Sequence, residues 1–138
     1  MKKVIKGGKV ATATDVFEAD LLIEDGVITQ IAKKIDVADA EVIDASGKYV
    51  MPGGIDPHTH LDMPFNNTVT DDDWESGTIA AAFGGTTTIL DFCLSAGETK
   101  LADAVAKWHA KAQGKAVIDY GFHLMITDFT PETEKELP

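Results

Sequence analysis

The chain has 138 residues, with 12 lysines and no arginine against 23 acids, for a formal net charge of −11. That balance speaks against a nucleic-acid partner or an anionic membrane surface, and Cys93, the single cysteine, allows no internal disulfide framework and fits a reducing compartment. No apolar run approaches the roughly 20 residues of a membrane span, and Met1–Lys6 carries charge without a signal-length apolar stretch, so a cytoplasmic protein is expected.

Up to about Val50 the pattern is all-β. Lys3–Lys6 and Lys9–Thr14 flank Gly7-Gly8, a pair suited to a tight turn. Phe17–Glu24 and Val27–Ala32 flank Asp25-Gly26, a strong two-residue hairpin signal. Glu41–Asp44 and Lys48–Val50 flank Ala45-Ser46-Gly47. A meander of short strands is expected, a small sheet covering one end of a larger domain and carrying no chemistry.

From Tyr49 onward strand and helix alternate. The expected elements are a strand over Tyr49–His60, a helix over Asp73–Phe83 and a strand over Thr86–Cys93. A helix over Leu101–Gln113 and a strand over Ala116–Ile126 follow. Asp72 is the expected N-cap of the first helix, Glu75 completes a capping box, and Gly84-Gly85 stops it. Leu101, Ala104, Val105, Trp108 and Ala112 form the apolar stripe of the second. Thr130-Pro131 opens a third helix. Such alternation makes parallel strands joined by right-handed crossovers, in a barrel or in a doubly wound sheet. A closed eight-unit barrel takes about 250 residues, and only 87 run from Pro52 to Pro138. On the barrel reading the chain is the N-terminal part of a longer enzyme.

The chemistry concentrates in His58-Thr59-His60. Histidines two apart on a strand share a face, and neutral imidazole is a good ligand for zinc and similar metals. A same-face pair at a strand's C-terminal end can hold one metal from one side. Asp56 lies on the same face, one period deeper, either as a group orienting a ligand or as an interior hydrogen-bond partner. His123 reads as a satisfied interior histidine, and Cys93 has no activating base close in sequence. Asp71-Asp72-Asp73 lacks the glycine and distal glutamate of a calcium loop and reads as helix-start acids.

The string Gly53-Gly54-Ile55-Asp56-Pro57-His58-Thr59-His60-Leu61-Asp62-Met63-Pro64-Phe65 resembles the N-terminal metal-binding signature of the amidohydrolase superfamily, in its hydantoinase/dihydropyrimidinase branch. The run from Ser76 to Thr88 and the run from Ile118 to Met125 are similar to the same branch. The resemblance implies a (β/α)8 barrel of the metal-dependent hydrolase type, incomplete here, preceded by part of a small β-sandwich. Residues 1–51 would belong to the sandwich and residues 52–138 to the first three strand–helix units of the catalytic barrel.

It further implies a zinc-dependent hydrolase that opens hydantoin or dihydropyrimidine rings to N-carbamoyl amino acids. His58 and His60 would be metal ligands in a two-zinc site whose bridging carboxylated lysine lies beyond residue 138. The catalytic aspartate also lies beyond this chain, which by itself should be inactive. The loop after His60 has no arginine to pair with an acidic ring. Met63 and Phe65, with Leu94 after the second strand, instead offer apolar contacts to an uncharged ring substituent, or else pack beneath the loop. The expected partners are a small cyclic amide or ureide and further copies of the enzyme, as a homodimer or homotetramer at full length. An allantoinase-type hydrolase and a non-catalytic dihydropyrimidinase-like scaffold protein are the alternatives, and the intact histidine pair speaks against the scaffold.

Overall fold

The computed structural model describes residues 1–97 and 100–137. It divides into two compact units, Met1–Pro52 and Gly53–Pro138.

In the first unit, strand β1 (Lys2–Ala11) is central. Strand β2 (Val16–Glu24) runs antiparallel to it, and β3 (Val27–Ala32) antiparallel to β2. Between β2 and β3, Asp25 and Gly26 both take positive φ, 50° and 84°, the backbone that a two-residue hairpin of the expected kind requires. Gly7-Gly8 is not a turn. The strand runs straight through it with a bulge between Ile5 and Gly8, where the pairing register shifts. Gly7 adopts the left-handed φ of +69° there, which a glycine supplies without strain. The buried carboxylate of Asp20 accepts hydrogen bonds from Gly7 N–H and from Ile35 N–H, both at 2.9 Å. Strands β4 (Glu41–Asp44) and β5 (Tyr49–Val50) then pair in parallel with the two halves of β1, so the sheet does not continue as a meander. Its core is Val4, Leu22 and Ile35 at one end and Val10, Ala19 and Leu21 at the other.

The second unit opens with β6 (Gly54–Thr59). The strand expected over Tyr49–His60 is therefore two strands, broken at Met51-Pro52-Gly53. Pro52 has no N–H for a ladder. At Gly53 a Cβ would lie 2.1 Å from the Thr87 hydroxyl, so only glycine fits. After β6 come a hairpin of β7 (Pro64–Phe65) and β8 (Thr68–Val69), then helix α1 (Trp74–Phe83) and β9 (Thr86–Leu94). Helix α2 (Leu101–Ala112), β10 (Asp119–Met125) and the short α3 (Pro131–Glu134) complete it. The sheet order is β10-β9-β6, all parallel, with one helix in each crossover.

Helix α1 begins one residue later than the capping pattern predicts. Asp73 is the N-cap, accepting from Glu75 and Ser76 N–H at 3.0 and 2.8 Å, and the Ser76 hydroxyl closes the box. Strand β10 starts at Asp119 because Lys115 and Ala116 still bond back to the Ala112 carbonyl at the end of α2. Leu61, Trp74, Ile89, Cys93, Trp108 and Ala112 form the core of this unit.

Candidate metal centre

His58 is the penultimate residue of β6 and His60 follows its last. Their Nε2 atoms stand 3.2 Å apart with ring planes at 89°. Tetrahedral zinc with bonds of about 2.0–2.1 Å to imidazole nitrogens keeps two such nitrogens about 3.3 Å apart. The observed separation is thus the one that two imidazole ligands of a single ion would have, and the donor set fits zinc. Among the described residues no third His, Cys, Asp or Glu joins them.

The surroundings explain why the pair converges. The Phe92 ring lies 4.5 Å from the His58 ring and 5.2 Å from that of His60, an apolar floor beneath both. Asp56 Oδ1 accepts from the backbone N–H of His58 at 3.1 Å, so its carboxylate braces the main chain. Between Asp56 and Thr59 the ladder to β9 slips register. The Pro57 carbonyl there is 3.0 Å from His123 Nε2. A carbonyl only accepts, so His123 donates from Nε2 in this contact; the residue is exposed on β10, not interior as its apolar neighbours suggest.

Asp91 is the residue that sequence reasoning missed. It stands opposite Thr59 in the ladder and is fully buried. Its Oδ2 accepts from the Thr59 hydroxyl at 2.9 Å and from Leu61 N–H at 2.8 Å. Burial pushes this carboxyl above the usual aspartate range, against the downward pull of those bonds. Its Oδ1 and the Nδ1 of His60 are both buried without a partner. The available signal was a single acid in the otherwise apolar and hydroxyl-bearing run Thr86–Leu94.

The loop after His60 folds as a hairpin of β7 and β8. Asn66 and Asn67 take φ of 45° and 64° at its tip. Met63 N–H donates to the Thr70 hydroxyl and Thr70 N–H to the Met63 carbonyl, each at 3.0 Å. At the base Asp62 N–H donates to the Asp72 carbonyl at 2.9 Å. Lys111 of α2 donates to the Asp62 carbonyl, sits 3.4 Å from its carboxylate and lies 4.9 Å over the Trp108 ring. On this hairpin Met63 is half-buried and Phe65 is 62% exposed. Leu94 ends β9 and packs against the core of the unit. Cys93 is fully buried, with its thiol on the His123 carbonyl at 3.3 Å, and burial pushes the thiol up.

The profile of the amidohydrolase family matches residues 41–124. A D-hydantoinase of Geobacillus stearothermophilus is 65% identical over all of this chain, which spans 29% of that protein. A crystal structure of D-hydantoinase superposes with a TM-score of 0.95 at 62% identity, over 99% of this chain and 30% of that one. A dihydropyrimidinase from Brevibacillus agri NCHU1002 superposes with the same score at 57% identity, over 99% of this chain and 30% of that one. The chain therefore spans about 30% of the length of the relatives it matches. The likeness decides between the two architectures that alternating strands and helices allow: β6, β9 and β10 are strands of a hydrolase-type barrel. The chain belongs to the amidohydrolase family and resembles its hydantoinase/dihydropyrimidinase members along its whole length.

Proposed function

We propose that this chain supplies the first part of a metal-dependent cyclic amidohydrolase that opens hydantoin or dihydropyrimidine rings. The observation that carries the reading is the convergence of His58 and His60 at 3.2 Å at the C-terminal end of a parallel strand, where barrel enzymes place their chemistry. On this reading residues 1–51 are part of a β-sandwich and residues 52–138 the first three strand–helix units of the catalytic barrel. The remaining ligands, including a carboxylated lysine bridging two zinc ions, come from beyond residue 138, and the complete enzyme is a cytoplasmic homodimer or homotetramer.

Ring opening breaks the amide C–N bond with one water. The carbonyl carbon leaves as carboxylate and the nitrogen takes up a proton, giving an N-carbamoyl amino acid. A divalent metal held by His58 and His60 would supply Lewis-acid polarisation of the scissile carbonyl and a lowered pKa for water. The chain's own residues hold and aim. His58 and His60 present Nε2, Phe92 lies against one side of both rings, and Asp56 and His123 hold the N–H and the C=O of the Pro57–His58 peptide. Met63, Phe65 and Leu94 contact the exocyclic substituent of the ring, and the exposure of Phe65 leaves it available for that.

His58→Ala and His60→Ala in the complete enzyme test the reading. Each is expected to lose bound zinc and ring-opening activity together, with the fold kept by circular dichroism. Full metal content and unchanged turnover in both variants would refute it.

A further inference from the structure

We infer that Asp91 is the positioning residue of the metal pair: its carboxylate grips the chain on both sides of His60 and so fixes where the His60 Nε2 points. The inference rests on His58 and His60 holding a metal. Three observations carry it. First, one oxygen of Asp91 accepts from the Thr59 hydroxyl and from Leu61 N–H, at 2.9 and 2.8 Å, so the residues before and after His60 are tied to the same atom. Second, His60 lies past the last residue of β6, where the strand ladder no longer holds the main chain. Without Asp91 the Leu61 N–H would be a buried donor with no acceptor, and the peptide planes flanking His60 would be free to turn. Third, the grip sits in a fully packed place. Asp91 and the core residues Ile89 and Cys93 alternate along β9, and Leu61 belongs to the same core cluster. A carboxylate in such surroundings is costly unless its bonds matter.

The geometry also says which part of the side chain matters. Both bonds use Oδ2, and Oδ1 has no partner. A side-chain amide carries one oxygen that can take both donors, whereas leucine fills the space with none. Asp91→Asn should therefore keep zinc affinity close to that of the parent enzyme. Asp91→Leu should weaken it by about 10–100-fold, the usual effect of removing a group that orients a metal ligand.

The measurement is zinc affinity of the complete enzyme by competition with a chromophoric chelator, well below the melting temperature, with thermal melts alongside and the absorption spectrum of the cobalt-substituted protein. A merely structural role would lower the melting temperature and leave the affinity and the cobalt spectrum unchanged. Thr59→Val, which removes one of the two donors and keeps the shape, should weaken zinc in the same direction by a smaller factor, and it serves if Asp91→Leu does not fold. His60→Ala run beside these variants separates the two readings. If His60→Ala keeps parental affinity, the metal assignment itself falls. If His60→Ala loses zinc while Asp91→Leu and Thr59→Val keep it, only the positioning role falls. An Asp91→Asn variant as weak as Asp91→Leu would mean that charge and not the grip counts, and would also overturn the inference.

Discussion

Two buried aspartates, Asp20 and Asp91, show how surroundings set the behaviour of one side-chain type. Asp20 uses both oxygens, each on a backbone N–H, and these bonds hold its carboxyl below the usual aspartate range. Asp91 uses one oxygen, and burial moves it the other way. For Asp20 a stability consequence follows. A carboxyl whose folded pKa is depressed contributes stability above its unfolded value, about 3.9, and loses that contribution as pH falls through the folded value. Asp20→Ala leaves the N–H groups of Gly7 and Ile35 without their acceptor, at about 1–3 kcal/mol for each donor that water cannot reach. Urea melts of the parent and of Asp20→Asn should differ at pH 7 and draw together as pH falls below about 4. A gap of the same size at pH 7 and pH 3 would contradict the assignment.

At the scale of elements, the hairpin that follows the histidines is built from local chemistry and one long-range tether. Asn66 and Asn67 adopt the left-handed backbone that asparagine tolerates better than most residues, and Lys111 fastens the base to α2 through Asp62. The Lys111–Asp62 pair is partly exposed, so its contribution to global stability is about 1 kcal/mol or less. Its local effect should be larger. Lys111→Met keeps the stem over Trp108 and removes the charge. Hydrogen exchange at the amides of Asp62, Met63 and Thr70 should then speed up while the melting temperature barely moves. Discrimination between small and aromatic 5-substituted hydantoins should shift, and Phe65→Ala should shift it further, by about 1–3 kcal/mol in relative kcat/KM. Equal loss for every substrate would place Phe65 in support of the fold instead.

The elements also show what a sequence discloses and what it hides. Helix α2 was legible because its apolar stripe of Leu101, Ala104, Trp108 and Ala112 has helical spacing, and all four are buried. The Asp25-Gly26 turn was legible because few residue pairs accept positive φ twice. Gly7-Gly8 misled, since glycine serves a bulge as readily as a turn, and only the partner strand decides between them. The split of Tyr49–His60 was hidden because Tyr49 and Val50 find their partner in β1 and Gly54–Thr59 finds its own in β9. At the candidate site the same line divides His58 and His60 from Asp91. Two histidines at a period of two declare a shared face. An acid on a neighbouring strand, more than 30 positions from His58, declares nothing until the ladder sets it opposite Thr59.

At the scale of the whole molecule, both units carry exposed apolar surface. In the first, Val16, Val27 and Ile28 of the sheet are more than half exposed. In the second, β6 and β10 each pair on one side only among the described residues, and Ile55 of β6 is 65% exposed. Unpaired parallel edges and uncovered apolar side chains favour association with other chains. On the proposed function the ligand count points the same way, since His58 and His60 would be two donors where a catalytic zinc takes about three from the protein and keeps one position open. Residues 1–138 expressed alone should therefore bind zinc weakly, associate as concentration rises and open neither hydantoin nor dihydrouracil. Assay beside the complete enzyme with added zinc, together with sedimentation across a concentration series, checks all three. Turnover near that of the complete enzyme, abolished by His58→Ala, would mean that copies of this chain complete one another's sites, and the ligands assigned to later strands would have to be sought within these 138 residues.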